Sequence, residues 1–152
     1  MIEPEIQRQL AVDLFNEVWR LLELERRTHE EDDRMLHAAH ASRYHWGEVG
    51  RGVNRVRGEW QVSRVYATLG RPEPALFHAR RCLELCARHE SELEDFDRPY
   101  AHEALARAHA LAGDAADARR HTELARQLGE EIVEDENREL LFRDLATLPI
   151  RG

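Results

Sequence analysis

Apolar side chains that recur every three to four residues, with no stretch of alternating apolar and polar positions, restrict this chain to helices. From Ile6 to Leu24, the residues Ile6, Leu10, Leu14, Phe15, Val18, Trp19, Leu21 and Leu22 keep helical spacing. At about 100° per residue they sweep roughly 200° of the helix surface. That arc is too wide for a helix covered from one side. Either the helix is packed on two sides, or part of it meets another chain, so a homo-oligomer through this first helix is one expectation. No Asn-Gly or Asp-Gly pair marks a strand hairpin anywhere in the chain.

The punctuation between apolar runs divides the chain into about seven helices. Pro4 suits a first helical turn, where the missing amide has no partner to lose. Thr28-His29-Glu30-Glu31 has the form of a capping box and opens a helix through about Val49. Gly50 and Gly52 break it, and Asn54 is a candidate cap for a third helix ending at Leu69-Gly70. Pro72 and Pro74 start a fourth that runs to about Glu90, and Asp97-Arg98-Pro99 a fifth that ends at Gly113. Asp114 is placed to cap a sixth, ending near Gly129, and a seventh covers roughly 135–148 before Pro149. Short links between helices favour antiparallel neighbours.

Length and composition narrow the setting. The 152 residues fit one domain, 1–152, with 42% apolar and 34% charged residues, which is neither a disordered nor a membrane-spanning composition. The first residues lack the basic and apolar regions of a secretory signal, and two cysteines make no disulfide framework, so a cytoplasmic setting is expected. The net charge of −8 argues against general nucleic-acid binding. Every one of the 22 basic residues is arginine, and seven of them (34, 43, 51, 55, 57, 64 and 71) fall between residues 34 and 72 against only Glu48 and Glu59. That basic middle leaves room for an anionic ligand, since guanidinium forks suit carboxylates and phosphates.

Sliding the chain by 43 residues against itself aligns Arg64 with Arg107, Ala67 with Ala110, Gly70 with Gly113, Ala75 with Ala118, His78 with His121 and Leu85 with Leu128. Both copies read helix, glycine turn, helix. Small residues (Ala75, Ala79 and Cys82; Ala118, Thr122 and Ala125) stand where two backbones would approach. On these residues, with Val62-Ser63, Tyr66, Leu69-Gly70, Ala75-Leu76 and Cys82-Leu83 in one copy and Leu105-Ala106, His109 and Ala112-Gly113 in the other, the chain resembles the tetratricopeptide repeat family. The likeness covers residues 56–130. It departs from the family pattern in His109, in Arg119, in the absent closing prolines and in the 43-residue step.

The resemblance implies an all-α, right-handed stack of antiparallel hairpins: a divergent pair over 4–49, repeat-like pairs over 54–90 and 97–130, and a capping helix over 135–148. It also implies a non-catalytic module that binds a peptide or protein partner, or an anionic ligand, on a concave face. That face would show Arg57, Trp60, Gln61, Arg64, Ala67 and Thr68 from one copy. The other would supply Tyr100, Glu103, Ala104, Arg107, Ala110 and Leu111. The arginines would supply charge there, and Trp60 and Tyr100 apolar contact. Trp60 has a second reading, as a core residue packed on the neighbouring pair.

Two stripes carry residues capable of chemistry. On the second helix Glu30, Asp33, His37, His40 and Tyr44 share an arc of about 80°, opposite Met35, Ala38, Ala39, Ser42, Trp46 and Val49. The stripe reads as a solvated polar face, as a pocket for a polar or anionic ligand that includes His37, His40 and Tyr44, or as a metal site on Asp33, His37 and His40 completed from another helix. The last reading makes a metal-dependent bundle enzyme the alternative function. On the fourth helix His78, Cys82, Cys86 and His89 also align, but His78 and His89 lie roughly 16 Å apart along the axis. The cysteines there read as buried packing residues. The chain carries no phosphate loop, no dinucleotide fingerprint, no nucleophile elbow and no His-Glu-x-x-His, and no cofactor is expected.

Overall fold

The computed structural model describes residues 2–150, all helix, turn or loop without a strand among them. Met1, Arg151 and Gly152, which the single-domain expectation includes, lie outside the described residues. The helices are α1 (Pro4–Leu22), α2 (His29–Val49), α3 (Gly52–Thr68), α4 (Pro72–Arg88), α5 (Asp97–Ala112), α6 (Ala115–Gly129) and α7 (Asp135–Ala146), with a single 3-10 turn at Glu90–Glu92. The all-α expectation holds. No helix among the described residues is long and apolar enough to cross a membrane.

Local chemistry sets most boundaries. Thr28 and Glu31 form the capping box: the Glu31 amide donates to the Thr28 hydroxyl at 3.1 Å, and the Thr28 amide donates to the Glu31 carboxylate at 2.9 Å. Two expected caps differ. α3 begins at Gly52, so Asn54 sits inside its first turn and accepts from the Arg51 amide at 2.9 Å instead of capping in its own right. Asp114 precedes α6, but its carboxylate does not cap that helix and turns towards His109 Nδ1 at 3.4 Å.

Gly70 and Gly113 close α3 and α5 in one geometry, with φ of 74° and 87°. In each turn the glycine amide donates three residues back (to Ala67 and Ala110) and the next amide five back (from Arg71 to Tyr66, from Asp114 to His109). Side chains are disfavoured at positive φ, which explains the glycine in both turns.

The hairpins are antiparallel. Ser42 donates to the Ala11 carbonyl and Arg8 to that of Val49 across α1 and α2, while Ser63 donates to Ala75 O and Cys82 to Val56 O across α3 and α4. Each hairpin then receives the next helix: α3 packs on α2 and touches α1, α5 packs on α4 and α3, and α7 packs on α6 and α5. One core cluster joins α1, α2 and α3 around Val18, Leu21, Met35, Val62 and Val65. A second joins α3, α4 and α5 around Val56, Trp60, Cys82, Leu85, Cys86 and Leu105. Cys82 and Cys86 are buried and unbridged, as the packing reading expects. Ala75, Ala79, Ala118 and Ala125 are fully buried where the paired backbones approach.

The wide arc of α1 is used on two sides. Val18 and Leu21 enter the core with α2, while Phe15 and Trp19 turn towards α3. Ile6 (55% exposed) and Leu10 (37%) stay uncovered at its start.

α7 is seated through a close contact. A Cβ on Gly129 would meet Leu141 Cδ2 at 2.4 Å, and Leu141 is fully buried. Gly129→Ala is therefore expected to cost about 1–3 kcal/mol through overpacking, read as a lower urea midpoint with an unchanged slope. A midpoint equal to wild type would show that α7 can shift without penalty.

Candidate functional site

The most apolar concavity lies where α1, α3, α5 and α7 face one another. It is a half-open groove of about 410 Å³. Phe15 and Trp19 come from α1, Trp60 from α3, Phe96 from the loop before α5 and Tyr100 from α5. These are half of the chain's Phe, Trp and Tyr residues. Leu140, 45% exposed, adds an apolar wall from α7.

The rings form a continuous ribbon. Trp19 stacks on Trp60 with centroids 5.6 Å apart, Phe15 meets Trp19 edge-on at 6.5 Å, and Tyr100 meets Trp60 edge-on at 5.6 Å. Such pairs add about 0.5–1.5 kcal/mol each beyond their buried area, which favours this arrangement of the rings. Trp60 is 8% exposed and part of the core cluster, as its second reading expects, and it also lines the groove.

Polar groups fix the ribbon in place. The Trp60 indole N–H donates to Glu103 Oε1 at 3.0 Å. Glu103 is fully buried, and its other oxygen accepts from Arg107 Nε at 2.8 Å and lies 3.4 Å from Arg64. The Tyr100 hydroxyl donates to Asp144 Oδ2 at 2.8 Å, tying α5 to α7. Burial and the neighbouring Asp144 carboxylate hold the Tyr100 phenol far above its ordinary pKa, so it stays a donor. Arg57 grips the buried Asp97 with two bonds of 3.0 Å and lies over the Phe96 ring at 5.2 Å.

The predicted concave-face residues therefore separate by role. Arg57, Trp60 and Tyr100 line the groove. Arg64 and Arg107 lie beside it, engaged with Glu103. Gln61, Glu103 and Ala104, also expected on that face, are buried; Gln61 donates to the Phe15 carbonyl at 3.1 Å. Phe15, Trp19, Phe96 and Leu140 were missed as groove residues. The signal that could have found the first two is the second side of the α1 arc.

The α2 stripe is dispersed. Asp33, His37 and Tyr44 (61% exposed) point to solvent. His40 alone joins a network: its Nε2 shares a hydrogen bond with the Tyr66 hydroxyl at 2.9 Å, and Tyr66 stacks on His78 at 5.8 Å. His78 Nδ1 donates to the buried Glu59 at 2.7 Å, and Arg43 donates to its other oxygen at 2.6 Å. Burial pushes the Glu59 carboxyl up, but His78 and Arg43 together hold it below its ordinary value.

The one trio of potential metal-ligand atoms gathered within 4.8 Å, among the described residues, is His109, Asp114 and Asp117, not Asp33, His37 and His40. Asp117 is already bonded to Arg120 at 3.1 Å, and both carboxylates sit at the start of α6, where the helix dipole disfavours added positive charge. The trio has the make-up of an ion-pair cluster.

The chain matches no protein-family model, no curated protein and no solved structure. The geometry above therefore carries the functional reading by itself.

Proposed function

We propose that this protein is a non-catalytic interaction module of the tetratricopeptide-like kind, which takes a segment of a partner protein into the aromatic groove. The single observation that carries this reading is the groove itself. Mutually packed, partly exposed rings contributed by alternate helices face a half-open trough, and aromatic side chains are the usual anchors of recognition surfaces. The order of packing, in which each hairpin receives the first helix of the next, supports the repeat-like reading.

A volume of about 410 Å³ falls within the roughly 300–1,000 Å³ typical of ligand pockets. It suits one or two side chains of an extended segment and not a folded surface. The anionic-ligand version of the module draws less support, because Arg57, Arg64 and Arg107 already hold Asp97 and Glu103. The metal-dependent alternative draws none from His40, whose ring is engaged with Tyr66.

Leu140→Arg tests the reading without touching the core, since Leu140 is nearly half exposed. A displayed library of random nonapeptides is selected on the wild-type protein. The selected peptides are expected to bind the variant at least tenfold more weakly, with its thermal midpoint unchanged. Peptides that bind both proteins equally, or a library that yields none, would overturn the proposal.

A further inference from the structure

Glu23, Asp97 and Asp144 line the groove against one lining cation, Arg57, which is already paired with Asp97. Glu23 is exposed at the rim, and the Asp144 carboxylate accepts only the neutral Tyr100 hydroxyl, while Arg107 bonds the Asp144 backbone carbonyl; among the described residues neither carboxylate has an arginine or histidine side chain in an ion pair. The groove thus carries two carboxylates outside any ion pair among the described residues, beside a ribbon of aromatic faces. Deepening the reading above, and resting on it, we infer that the side chain received is cationic: an arginine or lysine of the partner segment.

The chemistry matches on three counts. The aliphatic stem of either residue packs on apolar lining such as Leu140 while its head remains polar. A guanidinium or ammonium is attracted to the faces of Trp and Phe rings. Carboxylates at the groove ends accept charge-assisted hydrogen bonds from the head group, and a guanidinium can engage one of them with two. An acidic side chain would instead meet Glu23 and Asp144 with like charge. The seven-arginine middle of the chain does not reverse this, because Arg43, Arg57 and Arg64 face buried carboxylates within the fold.

The test uses peptides from the library selection, resynthesised with blocked ends. Each is made with its Arg or Lys intact and with that residue replaced by norleucine or by glutamate, and binding is measured by calorimetry. The inference expects the selected sequences to carry Arg or Lys, the norleucine form to bind about tenfold more weakly, and the glutamate form more weakly still. It also expects the double variant Glu23→Gln, Asp144→Asn, which keeps the hydrogen-bond acceptor for Tyr100, to bring the Arg form down to the norleucine level. Selected peptides without Arg or Lys, a norleucine or glutamate form equal to the parent, or an unaltered preference in the double variant would each overturn it. In those cases Leu140→Arg still decides separately whether the groove binds a segment at all. A library that yields nothing removes both.

Discussion

Truncating Glu103 to alanine is expected to lower the stability of the fold by about 3–5 kcal/mol, the range for removing one partner of a buried ion pair. Glu103 is fully enclosed, and three donors converge on its two oxygens: the Trp60 indole, Arg107 and Arg64. Alanine leaves the indole N–H unpaired and two guanidinium groups beside an empty space. Arg107 keeps its bonds to the Asp144 carbonyl and the Thr147 hydroxyl, which places the expected loss at the lower end of that range. Glu103→Gln retains an acceptor for Trp60 and should recover part of it. Urea unfolding of the two variants measures this. A loss below about 1 kcal/mol for alanine would mean that Glu103 is not the anchor of the aromatic ribbon. The groove depends on it as well, since Glu103 is the hydrogen-bond acceptor that orients the Trp60 indole.

Acid should weaken the protein before its carboxylates begin to protonate. Between α5 and α6, His102 and His121 are buried and share a hydrogen bond between their Nδ1 atoms at 3.0 Å, while His109 stacks on His121 at 5.7 Å. Burial, the Arg120 charge and the two neighbouring histidines lower the His121 pKa to about 4. Burial and the arginines 98 and 120 lower that of His102 as well. In the unfolded chain both imidazoles take up protons near pH 6.5. Below that pH the unfolded state binds protons that the folded state refuses, so stability falls as pH falls, until His121 also protonates near pH 4.

At pH 5 the loss from His121 alone is about 2 kcal/mol, or about 4–8 °C in the thermal midpoint for a chain of this length. Glu59, held below its ordinary value, adds its own loss only at lower pH, as it protonates. The window from pH 6.5 to 5 therefore belongs to the histidines. His121→Gln should flatten the curve there even if it lowers the midpoint overall. A wild-type midpoint constant from pH 7 to 5 would refute the assignment.

The readable part of this fold was the part governed by neighbours in sequence. The Thr28–Glu31 box, the prolines at the start of α1 and α4 and the glycines after α3 and α5 act within a few residues, and each stands where its chemistry requires. The stretch from 33 to 49 separated its faces for the same reason: Met35, Ala38, Ala39 and Ser42 are buried, and Asp33, His37 and Tyr44 are not.

The destination of the arginines was not legible. Arg57 meets Asp97 forty residues away, and Arg64 meets Glu103 thirty-nine away, so charge counted over a window could not reveal that these forks are engaged. Arg107 and Glu103, four apart on one helix, were the local hint. Asn54 and Asp114 misled because a cap is decided by which amide its side chain reaches, and each found a nearer or different partner.

The groove has one mechanical consequence. Its walls include both the first helix and the last, which are separated along the chain by the whole stack and which converge on the same trough. An occupant would bridge α1 and α7 like the bolt of a clasp, and drawing those two helices apart would then require its release first.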